Sequence, residues 1–317
     1  MAAAPAGADV HHQSGVAGAA RPLHGYGADV PQVRWPGGAR IAVSFILNWE
    51  EGSEPSYAAG DGENAQGLSE TPVTLPAGVR DLAIESVYEY GARAGIWRLQ
   101  RLFDAEAIPL TRCAPAVALD LHPEVAAWVR TRGHEPAGHG YRWDRMYLLD
   151  PVEERANIRR TVRSITETTG SRPLGWYSRY SPSPMTRSIL VDEGFTYDSD
   201  AYNDDLPYPT TVDGRDHLVV PYSLTYNDGR YTTAFGHPDP GSFLEQCRRG
   251  FDYLWEEGGT APRMMSIGFH PRLIGQANRA SALRDLIHHM KAKGDVWFAR
   301  RVDIADHWRR EVLGSGG

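Results

Sequence analysis

Cysteine is scarce in this chain of 317 residues, which contains only Cys113 and Cys247. Two cysteines are too few for a disulfide framework, and these two lack the close spacing of a thiolate metal site. We therefore expect two buried, unpaired thiols and a protein of the reducing cytoplasm.

Long apolar runs and basic clusters are also missing. No stretch reaches the roughly eighteen consecutive apolar residues of a membrane-spanning helix, and residues 2–20 lack the basic start of a secretory signal. The formal net charge is −7, without the basic face that a general nucleic-acid binder needs. The sequence thus predicts no membrane partner and no nucleic-acid partner.

The usual nucleotide-binding patterns do not occur. No Gly-x-Gly-x-x-Gly follows the first predicted strand, and Gly-x-x-x-x-Gly-Lys-Ser/Thr is found nowhere in the chain. Both patterns allow backbone N–H groups to approach phosphates closely. Their absence argues against a nucleotide cofactor.

What the chain does contain is a regular alternation of strands and helices. Residues 41–47 are apolar except for Ser44 and show no helical or alternating period, which is typical of a strand covered on both faces. Further strands are predicted near residues 108–119, 135–139, 174–177, 195–197, 217–222, 264–269 and 296–299, and helices near 94–106, 123–131, 153–168, 186–193, 242–257, 280–293 and 302–312. This alternation indicates a parallel sheet, and the number of units favours a (β/α) barrel.

A single catalytic domain is predicted over residues 36–312. Residues 1–35 have the small-residue composition of an arm, which we expect to be partly disordered or packed on a partner subunit. Residues 313–317 form a short tail. The polar connection at 53–78 is long enough to be a lid or a binding loop.

Chemically active side chains follow the ends of several predicted strands. In parallel barrels the carboxyl ends of the strands meet on one face, and chemistry takes place there. The sequence places on that face two adjacent acids, two histidines, two arginines, a tryptophan and further acids, namely Glu50, Glu51, His139, Trp143, Arg179, Asp198, Asp200, His270 and Arg272. We predict an active site from this set.

Each of these residues also has an ordinary structural explanation. Adjacent glutamates in a loop are usually solvated, and a histidine at a sheet edge can simply bond to the backbone. The acids near Asp200 could form a series of turns, while Trp143 and Tyr177 could pack at a barrel rim. Only the coincidence at strand ends favours function over these alternatives.

Several motifs carry a resemblance that spans residues 34–309. They include Asn48-Trp-Glu-Glu-Gly52, His139-Gly-Tyr-Arg-Trp143, Pro173-Leu-Gly-Trp-Tyr177, Tyr197-Asp-Ser-Asp200 and Ser266-Ile-Gly-Phe-His270. The chain resembles the polysaccharide deacetylase (NodB-homology) superfamily, and within it the cofactor-independent, PuuE-type allantoinases. The resemblance implies an α/β fold, a distorted (β/α) barrel of the NodB type, in a homo-oligomeric enzyme of purine catabolism.

The resemblance also bears on metal binding. Metal-dependent members of the superfamily use an Asp-Asp pair and two histidines spaced His-x-x-x-His. Here the acids are Glu50 and Glu51, and the second histidine is replaced by Trp143. An indole cannot ligate zinc. We therefore expect no cofactor, with zinc held through Glu51 and His139 as a remote alternative.

The activity implied is hydrolysis of the ring C–N bond of a cyclic ureide, from allantoin to allantoate or in a close analogue. Glu50 or Glu51 would be the base, because burial beside a second carboxylate raises one pKa. His270 would protonate the leaving nitrogen and His139 would orient the water or the carbonyl oxygen. The substrate would contact Asn48, Trp143, Tyr177, Arg179, Asp200 and Arg272.

Two other functions remain open at this point. The first is a metal-dependent amide or N-acetyl deacetylase, or a cyclic-imide hydrolase, in which another group replaces the lost ligand. The second is a catalytically silent barrel that binds a ureide or a sugar.

Overall fold

The computed structural model describes residues 23–65, 67–233 and 236–314. Its nine strands form one curled sheet in the order β6-β7-β5-β4-β3-β2-β1-β8, with β9 paired to β1. All pairs are parallel except β6 with β7. The strands are β1 (Ile41–Asn48), β2 (Leu110–Ala114), β3 (Glu135–Gly138), β4 (Gly175–Trp176), β5 (Tyr197–Asp198), β6 (Tyr208–Val212), β7 (Arg215–Val219), β8 (Arg263–Phe269) and β9 (Val296–Phe298).

Helices pack on the outside of this sheet. They are α1 (Leu82–Tyr90), α2 (Ile96–Glu106), α3 (Ala116–Leu121), α4 (Pro123–Arg132), α5 (Pro151–Thr169), α6 (Thr186–Asp192), α7 (Pro240–Glu257), α8 (Ala277–Lys293) and α9 (Arg301–Glu311). The predicted α/β architecture, with helices packed on a curled and mostly parallel sheet, is confirmed. No helix in the described part of the chain is long and apolar enough to cross a membrane.

Strand β1 pairs with three other strands, β2, β8 and β9, and has buried residues along its whole length, as the sequence predicts. Its outward side chains Phe45, Leu47 and Trp49 join the large core cluster beneath the helices. Its inward side chain Ile46 packs inside the curl. Because side chains alternate along a strand, Glu50 continues the inward row and Glu51 the outward one.

Some predicted elements are wrong in extent. The run at 108–119 is a strand only over Leu110–Ala114, because Pro115 precedes the first turn of α3. Helix α1 and the edge strand β6 are absent from the sequence-based assignment. The buried face of α1 is narrow, with only Ile84 and Tyr88, which gives a weak periodic signal.

A π-helical turn joins α1 to α2 over Gly91–Gly95. Both glycines are required there by close approach. A Cβ at Gly91 would lie 2.2 Å from Glu51 Oε1, and one at Gly95 would lie 2.2 Å from the Pro271 carbonyl oxygen. The turn therefore brings the helix backbone directly against the strand end that carries the acidic pair.

Several predictions concern the ends of the chain and the cysteines. The arm prediction for 1–35 falls mostly on residues 1–22, which lie outside the described residues, as do 315–317 of the tail. Trp35, at the end of the proposed arm, is buried and donates a hydrogen bond to the Arg263 carbonyl oxygen at 2.9 Å. Cys113 and Cys247 are free and buried, as predicted.

Substitution of Gly175 by alanine tests the packing inside the curl. A Cβ there would lie 2.0 Å from the Tyr197 ring, which cannot move away freely because its hydroxyl donates to Glu135 at 2.7 Å. We expect Gly175→Ala to lower the free energy of unfolding by about 1–3 kcal/mol, measured by urea denaturation. Gly67→Ala, with open space at its Cβ, is the neutral control, and equal midpoints for the two variants would contradict the packing argument.

Candidate functional site

The carboxylate of Glu50 lies at the centre of the site. Oε1 is 3.2 Å from His139 Nε2 and 3.2 Å from Arg179 Nε. Oε2 is 2.8 Å from Arg272 Nη2 and 3.5 Å from His270 Nε2. These residues follow β1, β3, β4 and β8, so the structure brings five of the predicted site residues together at one end of the sheet.

Glu50 is held in its ionised form although it is only 1% exposed. Burial alone would raise the pKa of the Glu50 carboxyl group. The opposing positive charge of Arg179, with smaller effects from His270, Arg272 and His139, outweighs burial and holds this pKa well below its usual range. Glu50 is therefore a carboxylate at neutral pH.

Glu51 has a different environment from its neighbour. Its Oε2 accepts the Glu50 backbone N–H at 3.1 Å, and its Oε1 accepts the Arg272 backbone N–H at 3.2 Å. Arg272 Nη1 is 3.5 Å from the same oxygen. Burial raises the pKa of Glu51 despite Arg272. The adjacent acids thus separate into an ionised inward carboxylate and an outward one that retains a proton more readily.

Asp228 is a functional candidate that sequence reasoning missed. His270 Nδ1 donates to Asp228 Oδ1 at 2.6 Å, and Asp228 Oδ2 accepts the backbone N–H groups of His270 at 2.8 Å and Ile274 at 3.0 Å. This arrangement fixes the imidazole so that Nε2 faces Glu50. Asp228 belongs to the 3-10 helix Asp228–Thr232 in an irregular connection, where no strand end marks it in the sequence.

His139 is oriented by backbone and by aromatic stacking. Its Nδ1 donates to the Tyr177 carbonyl oxygen at 2.5 Å, which directs Nε2 toward Glu50. The imidazole stacks on the Tyr177 ring at 5.2 Å, and that ring stacks on Tyr222 at 4.4 Å. Tyr177 therefore supports His139 as well as forming a flat wall.

The two arginines differ in how many of their donors are used. Arg272 is fully buried and donates to Glu50, to Glu51 and to the Leu68 carbonyl oxygen. Arg179 lies between two rings, 3.9 Å from the Trp143 centroid and 4.0 Å from that of Tyr180. Within the described residues its Nε has no hydrogen-bond acceptor of acceptable geometry. Arg179 thus has donors available for a ligand oxygen.

Tyr180 was also missed by the sequence analysis. Its φ of +69° is unusual for a residue with a side chain and places the ring on the outer side of Arg179. Backbone strain of this kind is common at functional sites. A tyrosine gives no sequence signal of positive φ, so only the structure reveals this position.

Asn48 and Asp200 lie close to the same centre. Asn48 Nδ2 donates to Tyr222 Oη at 3.1 Å, while its Oδ1 is buried without a partner among the described residues. Asp200 accepts the backbone N–H of Ser178 at 2.7 Å and its hydroxyl at 2.7 Å. Burial and the neighbouring Asp198 raise the pKa of Asp200. Asp200 therefore holds the backbone that leads into Arg179.

The residues present do not fit a zinc site of the deacetylase type. Such a site needs three converging neutral or anionic donors. Here guanidinium groups lie against both Glu50 oxygens, and Trp143, stacked on Arg179, occupies the position of the second histidine. Over residues 23–65, 67–233 and 236–314 no group of three or more His, Cys, Asp or Glu side chains is placed to hold a metal ion.

Protein purified without added metal is expected to contain far less than one zinc per chain, because arginines occupy the space around Glu50. Elemental analysis after dialysis measures this. Trp143→His restores the second imidazole but leaves both arginines, so we expect no stoichiometric zinc in this variant either. A content of about one zinc per chain in the parent protein would contradict the charge argument.

Comparisons with known proteins agree with this fold. The family described as polysaccharide deacetylase matches residues 80–195. A Schizosaccharomyces pombe protein named as a polysaccharide deacetylase is 36% identical over 295 residues, or 86% of this chain and 92% of that protein.

Two crystal structures are similar to the whole described fold. One is a Pseudomonas aeruginosa protein named as a polysaccharide deacetylase, and the other is titled PuuE allantoinase. Each has a TM-score of 0.88 and 46% sequence identity over 92% of this chain and 98% of the other. Together with the yeast relative, these similarities show that the chain belongs to the polysaccharide deacetylase family of hydrolases.

Proposed function

We propose that the protein is an amidohydrolase that opens the ring C–N bond of a cyclic ureide, allantoin or a close analogue, to the open-chain ureido acid. The observation that carries this proposal is the array of Asp228, His270 and ionised Glu50 beside the available donors of Arg179. The similarity to a protein titled PuuE allantoinase supports the choice of substrate.

Glu50 acts as the base in this mechanism. It accepts a proton from water as the water oxygen adds to the ring carbonyl carbon. Arg179 donates to the carbonyl oxygen, which gains negative charge as the tetrahedral intermediate forms. As Arg179 turns from Glu50 toward that oxygen, the carboxylate loses its strongest positive neighbour and becomes a better base.

His270 acts as the acid. Its Nδ1–H is directed to Asp228, so a proton on Nε2 makes the ring an imidazolium, which the carboxylates of Asp228 and Glu50 stabilise. Nε2 delivers this proton to the ring nitrogen as the C–N bond breaks. The proton taken up by Glu50 then restores the imidazolium, so protons balance over one turnover.

Small size is an important property of the proposed substrate. Glu50, His139 and His270 are 1%, 2% and 4% exposed, so the substrate is enclosed when these groups act on it, which a long polymer would prevent. The same chemistry would cleave an N-acetyl amide, and the names of the relatives favour a deacetylase as the second candidate. Cofactor independence, homo-oligomer formation and a cytoplasmic location remain predictions within this proposal.

Variants of the acid and base test the mechanism. We expect Glu50→Gln, His270→Ala and Asp228→Asn each to lower kcat/KM for allantoin by about 10²–10⁴-fold, since each removes or misorients a proton-transfer group. Release of allantoate is measured, with folding checked by circular dichroism. His288→Ala, at an exposed imidazole paired with Glu106, is the control. Full activity in all three site variants would refute the assignment.

A substrate panel tests the reaction class. Allantoin, hydantoin, a cyclic imide and an N-acetyl sugar are compared by kcat/KM under identical conditions. We expect allantoin or hydantoin to be the best substrate, because acid–base groups that are buried suit a small ring better than a unit of a polymer. Preference for the N-acetyl sugar would favour the deacetylase, and binding without turnover of any compound would favour a silent barrel.

A further inference from the structure

Residues 53–65 and 67–81 cover the site, and we call them the covering segment. Ser53 O accepts the Trp143 backbone N–H at 3.2 Å, and Ala65 is buried against Trp143 and Tyr88. The carbonyl oxygen of Gly67 accepts the Tyr88 hydroxyl at 2.9 Å. These contacts place the segment over the strand-end face, where Glu50 is 1% exposed, so on this side a route to Glu50 opens only when the segment moves.

Arg272 joins the covering segment to both glutamates. Its Nε donates to Leu68 O at 3.1 Å, its Nη2 donates to Glu50 at 2.8 Å, and its Nη1 lies 3.5 Å from Glu51. A planar guanidinium directs its donors in fixed relative directions. Loss of the Leu68 contact therefore removes one of the three supports that set the orientation of the group toward the carboxylates.

We propose that Arg272 is a positioning residue that couples closure of the covering segment to the charge state of Glu50. With the segment in place, Arg272 is dry and its attraction for Glu50 is strong. With the segment displaced, water enters, and both the orientation and the attraction weaken. Closure of the segment over a bound substrate thus stabilises Glu50 as the ionised base. The inference rests on the proposed function in assigning Glu50 as the base.

The outer edge of the segment is held by two ion pairs. Arg142 donates to both oxygens of Asp61, at 2.9 and 2.8 Å. Arg279 donates to both oxygens of Glu70, at 2.7 and 2.5 Å. Asp61 and Glu70 are partly exposed, with 25% and 42% of their side-chain surface accessible, so solvent weakens both pairs. These contacts are suited to a segment that opens repeatedly.

Other ionisable groups near Glu50 also affect its protonation. Arg179, His270 and Arg272 act on Glu50 through charge and His139 through a hydrogen bond. Glu51, Tyr88, Tyr180 and Cys113 lie close enough to interact with it. Glu54, on the covering segment, has its pKa raised to about 7 by burial. A Glu54→Gln variant therefore separates titration of Glu54 from that of Glu50.

Chemical modification tests opening without any substrate. Diethyl pyrocarbonate acylates accessible imidazoles that have lost their extra proton, so the reaction is run at alkaline pH, and mass spectrometry gives the rate at His139 and His270. We expect the double variant Asp61→Asn/Glu70→Gln to react about fivefold faster at both sites, because two partly exposed ion pairs are lost. His288, with 53% of its side chain accessible, serves as the internal reference for reagent activity.

Asp192→Asn is the matched control, since it removes ion pairs to Arg155 and Arg215 away from the covering segment. It should leave the rates at His139 and His270 unchanged. Equal rates in the double variant and the parent would overturn the proposed opening, whatever the natural substrate is.

The pH dependence of kcat/KM tests the coupling itself. Glu50 has a lowered pKa in the closed protein, so weaker attraction by Arg272 raises it and moves the acid limb to higher pH. We expect this shift in Arg272→Lys and, to a smaller extent, in Asp61→Asn/Glu70→Gln, which retains Arg272. Glu54→Gln should leave the limb in place.

The double variant could show faster modification of its histidines while the acid side of its kcat/KM profile stays at the same pH. This result would show opening without coupling and would overturn the role of Arg272. If allantoin and hydantoin are not hydrolysed at all, the proposed function fails, while the modification rates still decide whether the segment opens.

Discussion

Two adjacent buried acids share one fully buried guanidinium, and the site depends on this interaction. Glu50 and Glu51 are each 1% exposed and Arg272 is 0% exposed. A buried charge without a partner is strongly destabilising, so the acids could not remain at this strand end alone. Arg272 in turn requires its neighbours, because the rings of Tyr88 and Trp143 lie 4.6 and 5.6 Å from its guanidinium carbon and exclude water.

This constraint explains the uneven use of charge around Glu50. The donors of Arg272 are already bonded to Glu50, Glu51 and the Leu68 carbonyl oxygen. Arg179 instead lies against ring faces and keeps donors for a ligand. In a metal-dependent deacetylase a cation would supply both the neutralising charge and the electrophile. In the function proposed here two arginines divide these tasks, and Trp143 provides the surface on which one of them rests.

Much of the fold and part of the site follow from the sequence. Strand β1 was identifiable because its apolar run is uninterrupted, and the residues after β1, β3, β4 and β8 could be grouped because parallel strands end on one face. Asp228 could not be found this way. It reaches His270 only because the irregular connection after β7 forms an isolated bridge between Asn227 and Gly268. The π-helical turn at Gly91–Gly95 could not be predicted either, because its two glycines are required by contacts with Glu51 and Pro271, which are distant in sequence.

The same π-helical turn limits how far the covering segment could move, because it ties the helix at the end of that segment to α2. Helices α1 and α2 are continuous through it, and α2 is fixed to the core where Phe103 stacks on Phe269 at 5.4 Å and meets Phe45 at 5.6 Å. The covering segment therefore starts after a buried strand and finishes at a helix that continues into the core-packed α2. In the opening proposed above, a segment fixed at both ends can move outward only in its middle. Such an opening would admit small molecules and exclude bulky ones by geometry, before any side chain recognises them.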